Sequence, residues 1–167
     1  MGWTAPTTWV ADQVVGASDL NAQLRDNMGY VHAGKPAGVI VRNNAGVYST
    51  SSGAFANIDG TNLKTTISTT TGRVALFFVG SFYADATARL LSLDCTIDGA
   101  RWMASYTNGM GKETLDTNSR IITLAMMKTG LSVGSHEFIM QWKVESGTAY
   151  LFSATGDVPV NFVVAEW

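Results

Sequence analysis

The chain has 167 residues, which is enough for one domain with a short appendage. Hydrophobic residues make up 46% of it and charged residues only 14%, whereas an average soluble domain carries about 25% charged residues. We therefore expect neighbouring chains to cover much of its surface, and the net charge of −2 without any Lys/Arg cluster argues against nucleic-acid binding.

Residues 1–16 follow neither a helix nor a strand pattern and are predicted to form an extended arm, with Trp3 and Trp9 on either side of Pro6. An indole ring prefers a pocket with a partner for its N–H group. Two interpretations stay open: the arm docks on a neighbouring subunit or a larger assembly, or it folds back on its own domain. No signal peptide is expected, and no apolar run is long enough for membrane insertion.

The segment from Ser18 to Val31 is the strongest helix prediction in the chain. Ser18 suits the N-cap, because its hydroxyl can accept a hydrogen bond from an open amide of the first turn. The helix would present a narrow coiled-coil seam that runs from Ala17 through Leu20, Leu24, Asn27 and Val31. A polar residue in such a seam can fix register and the number of chains. We expect this seam to mediate self-association; the alternative is a helix that packs on its own domain.

From Val39 onward the pattern predicts β-strands separated by turns. The predicted strands are 39–43, 46–50, 54–58, 63–69, 73–83, 88–98, 100–106, 119–127, 134–144, 148–154 and 160–167. Asp59-Gly60 and Asp98-Gly99 are predicted to close hairpins, and residues 105–119 are predicted to form a polar loop. This spacing predicts an all-β jelly-roll sandwich of about ten antiparallel strands (37–167), preceded by the arm and a short helix (1–36).

The predicted strand 73–83 is apolar on both faces. One face carries Val74, Leu76, Phe78 and Phe82, and the other carries Ala75, Phe77, Val79 and Tyr83. Antiparallel sandwiches usually leave one face of each strand in water. We therefore expect Phe77 and Val79 to lie in an interface between subunits; the alternative is a strand that lies between two layers of its own domain.

Few residues could support catalysis or metal binding. His32 and His136 lack the partners of a zinc site, His136 is predicted to be a hydrogen-bonded core residue, and Cys95 is predicted to be a buried thiol. The carboxylates that could pair as in a glycosidase are Asp94, Asp98, Glu113 and Asp116, although turn or loop positions explain the last three better. We expect no enzymatic activity, no cofactor and no metal.

Trp102 and Tyr106 are aromatic residues beside a polar stretch. Flat aromatic faces next to Asn and Asp side chains suit sugar rings, through apolar stacking and hydrogen bonds. A glycan site at Trp102, Tyr106 and the 107–118 loop is one hypothesis. The alternative is that Trp102 packs in the core.

The opening WTAPTTWV and the following ASDLNAQLRDNMGYV resemble the N-terminal segment of small bacteriophage virion proteins of the tail, head-fibre and minor structural kinds. The matching residues are Trp9, Val15, Ala17, Leu20, Asn21, Leu24, Arg25, Asp26 and Asn27, whereas Ala11-Asp12-Gln13 departs from the usual Gly-Glu pair. Residues 55–63, 136–151 and 162–167 look like the body of the same proteins. That body is similar to the trimeric jelly roll of the tumour-necrosis-factor and complement globular-head type.

The resemblance implies a homotrimer that is made in a host cytoplasm and incorporated into a virion, with the helices bundled on the threefold axis. In such a particle Trp3 and Trp9 are the candidates for docking on capsid or tail proteins. A fibre or spike would meet host-surface polysaccharide, whereas a decoration protein would clamp capsid subunits. A free lectin-like module and a hydrolase of cell-surface polysaccharide are the competing hypotheses.

Overall fold

The computed structural model describes residues 37–42, 46–153 and 159–167, together with positions 16 and 18. Trp3, Trp9 and the seam residues Leu20, Leu24, Asn27 and Val31 lie outside the described residues, and only Ser18 of the predicted helix is among them. The chain divides into two compact units, Met1–Lys35 and Pro36–Trp167. All the strands described below belong to the second unit.

Twelve strands occupy the described residues. They are β1 (Ala37–Arg42), β2 (Gly46–Thr50), β3 (Ala56–Asn57), β4 (Lys64–Thr69), β5 (Val74–Ala84), β6 (Arg89–Ile97), β7 (Ala100–Arg101), β8 (Gly111–Leu115), β9 (Arg120–Lys128), β10 (Gly134–Val144), β11 (Ala149–Ser153) and β12 (Val160–Glu166).

The strands form two antiparallel sheets, which we call sheet A and sheet B. In sheet A, the central strand β5 pairs with β9 along one edge. Along its other edge, the first part of β5 pairs with β12 and the last part with β11. β1 pairs with the outer edge of β12, and β2 pairs with the outer edge of β11. In sheet B, β10 and β6 are central, β4 and β3 flank β10, and β8 and β7 flank β6. This arrangement is the predicted jelly-roll sandwich.

The core lies between the sheets and is built from alternate residues of each strand, as expected when one face of a sheet is buried. From β5 it receives Val74, Leu76, Phe78 and Phe82, and from β10 it receives Phe138, Met140, Trp142 and Val144. Phe82 packs edge-on against Trp142 with ring centroids 6.4 Å apart. In β10 the buried residues follow the alternation of apolar and polar side chains in the sequence.

Cys95 is buried and free, as predicted. Burial raises the pKa of its thiol far above the usual range, so the group stays protonated and chemically inert.

The hairpin predicted at Asp59-Gly60 is wrong. The strands on either side of it, β3 and β4, do not pair with each other. Both pair antiparallel with the same edge of β10, so the loop between them is a detour after which the chain continues in the same direction. Asp59 stabilises that detour, because its carboxylate accepts hydrogen bonds from the amides of Thr61 and Asn62 and from the hydroxyl of Tyr48.

The Asp98-Gly99 hairpin is confirmed: Ile97 pairs with Ala100, and both turn residues have positive φ, at 52° and 81°, as a type I′ turn requires.

Two boundaries between Ala100 and Ser119 are also corrected. The predicted strand 100–106 ends at Arg101, because the Arg101 guanidinium folds the chain back by donating to the carbonyls of Met103 and Tyr106. The predicted loop 105–119 contains β8, which has a single buried side chain, that of Leu115. A short edge strand of this kind carries almost no hydrophobic alternation, so its sequence looks like a loop.

Glu166 ties the end of β12 to the turn between β4 and β5. Its buried carboxylate accepts hydrogen bonds from the Thr69 and Thr71 hydroxyls and from the amides of Thr70 and Thr71. Burial alone would raise the pKa of Glu166, but the hydrogen bonds outweigh burial and lower it from 4.5 to about 2. The stabilisation from the charged group is therefore complete above pH 4.5 and is lost as the pH falls towards 2.

We expect Glu166→Gln to lower the free energy of unfolding by about 2 kcal/mol at neutral pH, with the difference from the unmodified protein shrinking below pH 4.5. Urea denaturation between pH 2 and 7 measures it. Glu145→Gln is the matched control, because Glu145 forms an exposed ion pair with Lys112 and exposed pairs contribute little. A difference for Glu166→Gln that does not change with pH would contradict the assignment.

Candidate interaction surfaces

The outward side of sheet A is almost entirely apolar. We call the outward residues of β1, β12, β5 and β9 the apolar face. Cross-strand pairing places twelve of them in three rows: Ala37, Ala165, Ala75 and Met127; Val39, Val163, Phe77 and Ala125; and Val41, Asn161, Val79 and Thr123. None of these outward residues is charged.

Several large side chains of this face are open to solvent within the described part of the chain. Val39 is 58% exposed, Phe77 is 48% exposed and Met127 is 65% exposed, and Val41 and Ile121 are comparably open. Single exposed apolar residues are ordinary, but contiguous apolar patches on soluble proteins commonly mark interaction sites. The apolar face has the composition of a protein–protein interface core, which is depleted of charge.

The apolar face continues towards β11 through a pair of tyrosines. Tyr83 and Tyr150 stack with ring centroids 4.7 Å apart and planes inclined by 12°. Their neighbours on the same side of the sheet are Ser81 and Phe152, which are directly paired. Aromatic stacking of this kind suits either another protein surface or a flat ligand.

The structure brings Phe77 and Val79, the two strand residues predicted for an interface, onto the apolar face. It adds residues of β1 and β9 that the sequence argument did not single out. The segment 121–127 is apolar at almost every position, the same feature that singled out 73–83. The sequence therefore contained the evidence for Ile121 and Met127, although Val39 and Val41 needed the register of β1 against β12.

A second candidate surface lies over sheet B, where the 102–110 loop covers β6. The loop is anchored by Asp94, which is completely buried and receives the Arg101 guanidinium at 2.8 Å and the amides of Cys95 and Met103. The Arg101 guanidinium also lies 3.9 Å from the ring centroid of Phe55, close enough for a cation–π contact.

The two aromatic residues predicted for a glycan site take different environments. Trp102 is half-buried and packs against the core, whereas Tyr106 is 63% exposed on the loop. Around the loop, the described side chains with buried polar atoms that lack a partner are Ser92, Thr96 and Gln141. Ser92 and Thr96 flank Asp94 on β6, and Gln141 pairs with Asp94 across the strands, so all three lie on the same face of sheet B as Asp94.

Each carboxylate considered for catalysis lies beside a basic side chain. Asp94 pairs with Arg101, Asp98 pairs with His136, and Asp116 pairs with Arg120, whose other guanidinium nitrogen lies 4.0 Å from Glu113. The described residues contain no group of three or more His, Cys, Asp or Glu side chains that could hold a metal ion.

In the same part of the chain, no helix has the length and hydrophobicity to cross a membrane.

No family model and no curated protein matches this sequence. Among solved structures, the chain is similar to the Eiger TNF of S. frugiperda, with 13% identity and a TM-score of 0.41 over 80% of this chain and 93% of that one. It is also similar to the infectious bursal disease virus Gx strain structure, with 10% identity, a TM-score of 0.37 and coverage of 78% and 36%. A third similar structure is that of dimeric latent PorU from Porphyromonas gingivalis, with 9% identity and a TM-score of 0.39 over 80% of this chain and 13% of that one. These likenesses are weak, and the fold assignment rests on the strand pairing.

Proposed function

We propose that this protein is a non-enzymatic structural component of a bacteriophage virion and that it works as a homotrimer. The apolar face carries the proposal. An uncharged surface that contains Val39, Phe77 and Met127 is unfavourable in water, and burying it between subunits removes apolar area from solvent at about 25 cal/mol per Å². The resemblance of the N-terminal segment and body to small virion proteins supports the number three and the location in a particle.

Native mass spectrometry at micromolar concentration tests the assembly. We expect a species of three chains of 17.8 kDa each. A clean monomer under these conditions would overturn the proposal.

Within the particle, we assign the arm with Trp3 and Trp9 to docking on capsid or tail proteins. Deleting residues 1–16 is expected to abolish binding to particles that lack the protein, while the apolar face keeps the truncated chains associated. Co-sedimentation with such particles measures the first effect and native mass spectrometry the second. Particle binding by the truncated trimer at the level of the full chain would refute the docking role.

A lectin-like role is the second candidate, and the exposure of Tyr106 favours it. The anchored 102–110 loop holds this ring away from the core, so a sugar could stack on it. A glycan array probed with the full chain separates the two functions. Strong binding to defined sugars by the isolated protein supports the lectin-like role, whereas no binding across the array counts against it.

A further inference from the structure

His136 joins three separate segments at one end of the sandwich. Its ring projects from β10 and is buried. Nδ1 lies 2.7 Å from Oδ2 of Asp98 in the β6–β7 turn, and Nε2 lies 2.8 Å from the main-chain carbonyl oxygen of Ser132 in the β9–β10 loop. The other carboxylate oxygen of Asp98 accepts the Glu137 amide, which fixes the turn against β10.

The partners of the ring determine its protonation. A carboxylate and a carbonyl oxygen can only accept hydrogen bonds, and a neutral imidazole has only one N–H. Both contacts are satisfied together only by the imidazolium ion. Consistent with this, the hydrogen bond to the Ser132 carbonyl and the pairing with Asp98 raise the pKa of His136 above 6.5, while the Glu137 amide and His136 lower the pKa of Asp98.

Ser132, His136 and Asp98 are also the residue types of a hydrolase triad, but their geometry does not suit that chemistry. A triad histidine needs a bare Nε2 to take the proton of the serine hydroxyl. Here Nε2 faces the Ser132 carbonyl at 2.8 Å, and the hydroxyl is farther away, at 3.4 Å. In the imidazolium ring, the nitrogen that would act as the base already carries a proton.

Other charges near the ring are directed elsewhere. Glu137 points to the opposite face of β10 and pairs with Lys64 of β4 at 3.0 Å. Lys128 ends β9, and Asp98 is the charged group that raises the pKa of His136. Of these charged groups, Asp98 is the one that contacts the ring in the described structure, so titration of the ring is governed by Asp98 and the Ser132 carbonyl.

We propose that His136 is a pH-operated clip that holds the tip of the β9–β10 loop against the β6–β7 turn. While the ring is charged, both contacts persist. When the ring loses a proton it keeps one N–H, and the contact to Ser132 or to Asp98 is lost. Ser132 and Val133 are then released beside Gly134, which has φ of 140°, while Leu131 stays in place because its amide donates to the Gly72 carbonyl at 3.1 Å. The released segment carries Val133, which is 73% exposed, so the surface at this end of the sandwich changes with pH.

The direction of the effect on stability follows from the same contacts. The stabilisation from the clip is complete below the ordinary histidine pKa of about 6.5 and is lost as the pH rises through the raised value. The clip is therefore closed in mildly acidic solution and opens in alkaline solution.

Nuclear magnetic resonance on the full chain tests the clip. The His136 ring resonances, assigned by their loss in His136→Gln, are expected to titrate with a midpoint above 6.5, and the amides of residues 132–134 are expected to follow the same midpoint. Asp98→Asn is expected to lower the midpoint by about one pH unit, because it removes an opposite charge. A midpoint at or below 6.5, or loop amides that do not follow the ring, would overturn the proposal.

Ser132→Ala is the matched control, because it removes the hydroxyl and keeps the carbonyl to which the ring donates. We expect its midpoint to equal that of the unmodified protein. A fluorophosphonate probe is expected to leave Ser132 unlabelled. Covalent labelling of Ser132 would show an activated hydroxyl and would overturn the clip in favour of a hydrolase.

Discussion

Phe77→Glu is expected to convert the proposed trimer into monomers. Phe77 lies in the middle row of the apolar face, between Val163 and Ala125. A carboxylate at this position would lose water when the face is covered and would find no cation among the outward residues. Burying an unpaired charge costs several kcal/mol, so we expect a loss of at least 100-fold in the association constant, measured by analytical ultracentrifugation over a concentration series.

Val133→Glu is the control for this experiment, because it adds the same charge at an exposed residue of the β9–β10 loop, outside the apolar face. It should leave the trimer intact. Circular dichroism should show the same β-sheet spectrum for both variants, since the Phe77 side chain points away from the core. A Phe77→Glu protein that still sediments as three chains would show that the apolar face is not the interface.

Arg101→Met is expected to destabilise the fold by about 2–4 kcal/mol, because it leaves Asp94 buried without its counter-charge. The Asp94 carboxylate is completely buried, whereas the Arg101 side chain is 28% exposed. Because water still reaches the guanidinium, we expect a smaller loss of stability than for a fully buried ion pair. The loop should also loosen, since the same guanidinium binds the carbonyls of Met103 and Tyr106. Urea denaturation measures the first effect, and amide hydrogen exchange over residues 102–110 measures the second.

The matched control is Arg120→Met, which removes a guanidinium from the more exposed pair with Asp116. We expect it to change the free energy of unfolding by less than about 1 kcal/mol. Adding Asp94→Asn to Arg101→Met should restore part of the lost stability, because the orphaned charge disappears. Equal effects of Arg101→Met and Arg120→Met would contradict the anchoring role of Asp94.

Strands with strong alternation could be predicted from the sequence almost to the residue. β10 was predicted as 134–144 and occupies those residues, because its inward and outward side chains differ sharply in polarity. β5 was recognised because both of its faces are apolar. Local patterns suffice where burial alone determines the strand.

Features that depend on distant partners could not be predicted. Arg101 ends a predicted strand because Asp94 lies on the neighbouring strand, and Asp59-Gly60 fails to close a hairpin because β10 offers its edge to both flanking strands. Asp98 was explained by its turn, and its second role as the partner of His136 requires the strand register. Most of the strands and the fold class can therefore be predicted from the sequence, whereas the contacts between neighbouring strands of sheet B require the structure.

The pairing of β5 has a consequence for biosynthesis. Ala84 pairs with Ala149 and Val74 with Glu166, so two of the three neighbours of this strand are translated long after it. Pairing over such sequence separations slows folding, and sheet A cannot be completed while its later strands are still in the ribosome. The surface on which Phe77 lies is thus complete only after β12 has emerged from the ribosome, at the very end of the chain.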